Sequence, residues 1–259
     1  MKQKELLIII PAYNEENNIG AFLEQLEQPQ IMEMADILVM NDASTDHTSD
    51  IVRSRGHQVI NHVYNLGYGC GLWVGYKYAV NKGYRYIIQM DADGQHDACN
   101  VMELYRRLKS EGQGGHKPDI VLGSRFLKDS VAYPVSLIKR IAYTMFRILI
   151  RIGTGRKIQD PTTGLQGLSR RAFSFYAGFN HFDDKYPDAN MIMQMLLLGF
   201  RVEEVPAVMH TRTNGVSMHS GIVKPVFYMF RMMFSIIAVW IRVKLYRVDK
   251  GIANEETIT

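Results

Sequence analysis

The chain has 259 residues, of which 47% are hydrophobic and 22% charged, with a net charge of +4 at neutral pH. That length and apolar content suffice for one sizeable α/β domain with its own core, and the balance excludes a chain disordered by composition. The cysteines, Cys70 and Cys99, have neither CxxC nor metal-ligand spacing, which argues against a thiolate metal site and predicts reduced, buried thiols in a cytosolic setting.

In chain order, the first element is the apolar run Leu6–Ile10, closed by Pro11, which reads as a buried strand. It is too short for the apolar stretch of a secretory leader, so none is expected. Pro11 lacks a ladder donor, so the chain is expected to leave the sheet there. Asn17 or Asn18 should cap an amphipathic helix running to about Gln28. A second strand, Ile37–Met40, ends in Asn41-Asp42-Ala43-Ser44-Thr45-Asp46, and a short third, Gln58–Ile60, precedes Asn65-Leu66-Gly67-Tyr68-Gly69, which opens another helix. The apolar run Tyr86–Met90 then ends in Asp91-Ala92-Asp93-Gly94-Gln95-His96. In open α/β sheets ligands bind beyond the carboxyl ends of the strands, so these polar loops should face one site. Two carboxylates one residue apart at a strand end converge only with a cation between them, and a divalent ion with oxygen ligands, one that also holds phosphates, is the natural choice.

Charge is unevenly spread. Residues 1–133 carry 13 basic and 17 acidic side chains, whereas residues 134–247 carry 16 basic and 6 acidic, a bias of +10. The basic half suggests anionic partners. No nucleic-acid motif is present, so a membrane surface or lipid phosphate is the better fit. Between Ser136 and Ile152, the residues Ser136, Lys139, Arg140, Tyr143, Arg147 and Arg151 share about a third of the helical circle, opposite Leu137, Ile138, Ile141, Met145, Ile148, Leu149 and Ile152. From Lys224 to Arg242, a stripe of Lys224, Arg231, Ser235 and Arg242 interrupts an otherwise apolar segment. Its longest uncharged run, Met232–Ile241, falls short of the roughly 20 residues of a membrane span. Both segments therefore read as interfacial helices or as buried and dimer-forming ones.

The ordered set Pro-Ala-Tyr-Asn-Glu, Asn-Asp-Ala-Ser-Thr-Asp, Asn-x-Gly-x-Gly and Asp-Ala-Asp-Gly-Gln-His, followed by Gly123-Ser124-Arg125-Phe126 and Asp160-Pro161-Thr162-Thr163-Gly164-Leu165-Gln166, resembles family 2 glycosyltransferases of the GT-A fold. Within them it looks most like the polyprenyl- and dolichyl-phosphate sugar transferases, over about residues 5–220. The resemblance implies a mostly parallel Rossmann-like sheet flanked by helices. A transferase domain would occupy 1–221, with a nucleotide-binding half at 1–125 and an acceptor half at 126–221. An amphipathic helix at 222–247 and a tail at 248–259 would follow. It implies an inverting transfer from a nucleotide-diphosphate sugar, with Mg²⁺ or Mn²⁺, to polyprenyl phosphate or a lipid-linked glycan in surface-polysaccharide or cell-wall synthesis. The enzyme would sit peripherally on the cytoplasmic face of the membrane, as a possible homodimer or beside a membrane-protein partner.

Residue by residue, the resemblance assigns the metal to Asp93, Asp91 and Gln95. His96 is expected to support the site rather than ligate. The nucleotide falls to Pro11, Ala12, Tyr13, Asn14 and Glu15, with Asp42 on the base and Gly67, Asp91 and Ala92 beside it. Asn65, Gly67 and Gly69 serve equally well as a plain turn and helix start. Asp160 is placed on the acceptor side as the catalytic carboxylate. Asp188 is its rival, although it opens an apolar helix and would serve there as a cap. Arg125, Lys139, Arg140 and Arg212 suit an acceptor phosphate, which arginine binds bidentately. The stretch Gly215–Ser220 reads as a closing loop, but its Met218-His219 departs from the Ser/Lys-rich pattern, and the C-terminal membrane helices many of those enzymes carry are not evident. A nucleotidyltransferase would need a glycine-rich, Arg-bearing loop after the first strand, which Pro-Ala-Tyr-Asn-Glu is not. The remaining alternative is a non-catalytic nucleotide-sugar-binding subunit of a membrane assembly, against which the intact Asp91, Asp93 and Asp160 argue.

Overall fold

The structure, a computed structural model, describes residues 4–112, 115–133, 135–211 and 223–246. Arg212, the 215–220 stretch, the side chain of Lys224 and the 248–259 tail lie outside the described residues.

The first half of the chain opens with β1 (Leu6–Ala12), α1 (Ile19–Leu26), α2 (Pro29–Met34), β2 (Ala35–Asn41), α3 (Thr48–Ser54) and β3 (Gln58–Asn61). It continues with α4 (Tyr68–Lys82), β4 (Tyr86–Gln89), α5 (Cys99–Lys109) and β5 (Ile120–Ser124). The second half holds α6 (Leu137–Thr154), β6 (Gln166–Ser169), α7 (Arg170–Ala177), α8 (Ala189–Leu197), β7 (Val202–Pro206) and α9 (Val223–Lys244). The seven strands form one sheet in the order β3-β2-β1-β4-β6-β5-β7. All pairings are parallel except those of β6, which runs against both β4 and β5.

Successive strand residues point to opposite faces, and here both faces are covered, so strands read as unbroken apolar runs. Leu7, Ile9, Leu38, Met40 and Ile87 pack under α4, α6, α7, α8 and α9. Leu6, Ile8, Ile10, Val39 and Ile88 pack under α1, α2, α3 and α5.

Pro11 stays in the sheet, opposite Met40 of β2, which corrects the expectation that the chain departs there. Ile9 O accepts from Met90 N as β4 ends, so Pro11, two residues on, turns its donorless nitrogen to a side where no ladder remains. The first helix stops at Leu26, because Pro29 begins α2. Asn18 holds the N-cap position without capping; its amide donates to Glu15 instead, at 2.6 Å. Cys99 is exposed and Cys70 half-buried, not buried as expected, because both lie near the starts of helices at the sheet edge.

For the helices of the basic half the structure decides which side is buried, a point their sequence left open. On α6 the buried residues are Ala142, Phe146 and Ile150. Tyr143 and Arg147 are half-buried, and the aliphatic stripe Leu137, Ile141, Ile148 and Ile152 is left outside, each more than half exposed. Helix α9 packs on α6 and α8 through Met232, Ile236 and Val243, and exposes Phe227, Phe230, Phe234 and Ile237. By length and composition its stretch Val226–Lys244, at mean hydropathy 1.7, is apolar enough to cross a membrane. This corrects the exclusion drawn from uncharged runs, since the two interrupting arginines do not offset the surrounding Phe, Met, Ile and Val.

Candidate active site

The carboxyl ends of β1, β2, β4 and β5 meet at one edge. Because β6 runs backwards, the loop that precedes it, Asp160–Leu165, arrives at that edge too. The loops after β1 and β2 are zippered together by polar side chains. Asn14, in a left-handed conformation (φ 53°), donates its backbone N–H to Ser44 and accepts from Thr45 N at 2.9 Å. Glu15 N donates to Thr48 Oγ1, and Glu16 N to Asp46. This fastens the Pro11–Glu15 turn to the loop after β2 and leaves Tyr13 exposed. Asp42 is buried, and both its oxygens hold the following loop: Oδ1 accepts from Leu66 N (2.8 Å) and His62 Nδ1 (2.9 Å), Oδ2 from Gly67 N (2.7 Å). The Asp42 carboxylate thus seats the Gly67 turn, and among the described residues Oδ2 takes a single donor, which leaves it able to accept a further N–H. Gly69 is needed for close approach: a Cβ there would lie 2.5 Å from the backbone of Asp183 and Asp184.

Asp91 is set from two sides. Tyr68, the first residue of α4, donates its hydroxyl to Asp91 Oδ1 at 2.9 Å. A Cβ on Gly164 would fall 2.6 Å from Asp91 Oδ2, so only glycine lets the Asp160–Leu165 loop pass so close. His96 is buried and takes the Asp91 N–H on Nδ1 at 3.0 Å; burial drops its pKa to about 4, which keeps it neutral and suits a supporting part. Asp93 Oδ1 accepts from Gln95 N, and Gln95 Nε2 makes a long 3.5 Å contact to His210 O, so its carbonyl oxygen is spared. Two carboxylates and an amide oxygen are hard donors suited to Mg²⁺ or Mn²⁺. Among the described residues no three His, Cys, Asp or Glu side chains gather as a metal cluster. The set therefore fits an ion whose shell is completed by phosphate oxygens and water.

Asp160 is fully buried and clasps Arg125: Nε meets Oδ2 and Nη2 meets Oδ1, both at 2.7 Å, and Arg125 N donates to Oδ2 at 2.9 Å. Glu204 of β7 fixes the loop from behind by accepting Gln159 N and Asp160 N, both at 2.7 Å, and burial raises its pKa. Both oxygens of Asp160 are thus engaged by Arg125, an arrangement that orients the guanidinium. Burial works against the charge of Arg125, but the Asp160 pair outweighs it and holds the guanidinium firmly protonated. Its Nη1 has no hydrogen-bond partner among the described residues. Arg147 stacks 4.3 Å over Phe126, with its Nε buried and without a hydrogen-bond partner among the described residues. The pKa of Lys139 is lowered by burial and by Arg125. Arg125, Lys139 and Arg147 therefore form one cationic cluster, while Arg140 is exposed outside it.

Asp188 occupies the N-cap position of α8 but makes no capping bond. Its Oδ2 accepts from the hydroxyl of Tyr228 on α9. Burial pushes its pKa to about 7, with Asp160 and Asp91 adding to the rise and Tyr228 and Arg125 opposing it. That is the range of a group that exchanges protons at neutral pH. Arg147 entered the sequence reading only as part of the cationic stripe of 136–152, and Tyr68, Glu204 and Tyr228 escaped it. Only Glu204, a carboxylate inside a strand-like Val-Glu-Glu-Val-Pro, carried a signal that could have been noticed.

Residues 7–176 match the sequence model of Glycosyl transferase family 2. The chain belongs to that family. This glycosyltransferase is 28% identical over 230 residues to polyprenol monophosphomannose synthase of Mycolicibacterium smegmatis, spanning 83% of the chain and 81% of the relative. It is 27% identical over 232 residues to undecaprenyl-phosphate mannosyltransferase of Micrococcus luteus, spanning 83% and 88%. Together with the family match, these relatives support its place in the polyprenyl-phosphate sugar transferase branch. Glucosyl-3-phosphoglycerate synthase from Mycobacterium tuberculosis, solved with Mn²⁺, UDP-glucose and phosphoglyceric acid, superposes with a TM-score of 0.65 at 16% identity, covering 92% of this chain and 79% of that one. At that identity the likeness speaks for the glycosyltransferase fold alone.

Proposed function

We propose that this family 2 glycosyltransferase is an inverting, metal-dependent enzyme that moves one sugar from a nucleotide diphosphate to a membrane-held acceptor, polyprenyl phosphate or a lipid-linked glycan, in surface-polysaccharide or cell-wall synthesis. The observation that carries the reading is a juxtaposition. The cluster joins Arg125, paired with Asp160, to Lys139 and Arg147 of α6, and α6 and α9 both turn apolar stripes outward. An anionic headgroup on an apolar tail matches that arrangement, and the chain would work peripherally at the cytoplasmic face.

The Pro11–Glu15 turn and Asp42 hold the nucleotide, with Gly67, Asp91 and Ala92 at its edge. Asp91, Asp93 and Gln95 would hold Mg²⁺ or Mn²⁺, whose charge stabilises the departing diphosphate. Asp160 fixes Arg125, and Arg125 and Lys139 orient the acceptor anion. Asp188 takes a proton from an acceptor hydroxyl, or from a phosphate monoester that still carries its last proton (second pKa about 6). The test is a transfer assay pairing a panel of nucleotide sugars with polyprenyl phosphate or a lipid-linked glycan, with Mn²⁺ present. A glycolipid product is expected with one acceptor class. Donor binding without any transfer or donor hydrolysis would favour the binding-subunit reading instead.

A further inference from the structure

Helix α9 does more than cover the core. Tyr228, near its start, sends a hydroxyl to Asp188 Oδ2. The Tyr228 ring is seated edge-on against Phe146 of α6, centroids 6.4 Å apart, and beside Tyr186, 6.1 Å away, over which Arg231 stacks at 4.4 Å. Two turns further along α9, Ser235 accepts from Asn190 Nδ2 at 2.9 Å, and Asn190 Oδ1 in turn accepts the Asp188 backbone N–H at 2.9 Å. The side chain and the backbone of Asp188 are therefore both fixed from α9.

We infer that Tyr228 is a positioning residue that sets the orientation and the proton affinity of Asp188; this rests on the reading of Asp188 as the base. The groups facing Asp188 are Tyr228 of α9, Arg125 after β5, Asp160 of the loop before β6, Asp91 after β4, Tyr68 of α4 and Tyr143 of α6. Of the neighbours that move Asp188 itself, Tyr228 and Arg125 favour the carboxylate, while Asp160, Asp91 and burial oppose it. Arg125 is already claimed by Asp160. The Tyr228 hydroxyl is then the one donor bonded directly to the carboxylate among the described residues.

Tyr228→Phe removes that donor and keeps the ring. The Asp188 carboxyl is followed by ¹³C NMR in aspartate-labelled protein, its resonance assigned by its absence in Asp188→Asn, and kcat is measured against pH alongside. In Tyr228→Phe the Asp188 midpoint should rise by about one pH unit, the effect of losing one hydrogen bond to a charged group. The acidic limb of kcat should move with it, so that turnover falls several-fold at pH 7 and recovers toward pH 9. An Asp188 midpoint unchanged from wild type would overturn the inference. A shifted midpoint with an unmoved kinetic limb would remove Asp188, and with it Tyr228, from the reaction. Undiminished turnover in Asp188→Asn would expose that second failure independently of Tyr228.

Discussion

Above neutral pH Asp188 carries a charge that its surroundings oppose. Its folded pKa, about 7, lies above the ordinary aspartate value of 3.8. The folded state thus holds a proton there that the unfolded chain has already released, across the interval from about 4 to about 7. The contribution of this group to stability is fullest below that interval, declines as pH rises through it and is level above it. Replacing Asp188 by Asn should therefore raise the melting temperature more at pH 8 than at pH 4, while abolishing the limb of turnover that rises through pH 7. Replacing Asp160 should destabilise the fold instead. It is fully buried and paired bidentately with Arg125, and removing one partner of such a pair costs about 3–5 kcal/mol. Asp160→Asn should lose roughly that much in urea unfolding and lower turnover with donor affinity nearly intact; weakened donor binding at normal turnover would place the loop on the donor side. For Asp93 the expectation is loss of transfer in Asp93→Ala, and in wild type silence in EDTA until Mg²⁺ or Mn²⁺ returns. Full activity in EDTA would refute metal dependence.

The elements divide by how their burial is written into the chain. Strands β1, β2 and β4 were legible because each is covered on both faces and appears as an unbroken apolar run. Strand β6 was not, because its residues, Gln166–Ser169, hold a single large apolar side chain and owe their place to pairing with β4 and β5. On α6 the periodicity separated cationic from aliphatic residues correctly. It gave no means of knowing that the buried side would be Ala142, Phe146 and Ile150, leaving the aliphatic stripe uncovered. An uncovered stripe bordered by Arg140 and Arg151, beside the three exposed phenylalanines of α9, has the pattern of an interfacial helix pair and supports the proposed membrane contact. The protein should sediment with anionic liposomes at low salt and be released as salt rises, because each basic residue near the surface contributes about 1 kcal/mol, screened within a Debye length. Phe227, Phe230 and Phe234 changed together to Ser should weaken that binding without disturbing nucleotide affinity. A stable solution dimer that ignores liposomes at every salt concentration would show that the stripe closes on a second copy instead.

For the whole molecule, the site was legible as a set of loops and obscure as a set of contacts. The loops after β1, β2 and β4 meet at one edge of the sheet, as the order of apolar runs and polar loops foretold, and Arg125, Asp160 and Asp188, expected there from the resemblance, lie near Asp91. The partners they hold there, Tyr68 on Asp91, Glu204 behind the Asp160 loop and Tyr228 on Asp188, come from helices and strands far away in sequence, and no local pattern announces them. On the proposed assignment the donor loops and the metal ligands share one half of the fold, and binding of a donor should stabilise the domain. A nucleotide sugar at a hundredfold its dissociation constant, with Mn²⁺, is expected to add about 2.7 kcal/mol, read as a rise in melting temperature for the true donor and none for its competitors. The Arg125–Asp160 pair has one more consequence. Its partners stand 35 positions apart, and α6 hangs between them. Lengthening a closed segment adds little, about 0.6 kcal/mol per doubling. As long as Ala142, Phe146 and Ile150 keep their seats, the stretch between the clasped ends behaves as a cassette. On the proposed assignment, with Lys139 and Arg147 facing the acceptor, changes in this stretch would alter what is glycosylated and leave the donor loops as they are.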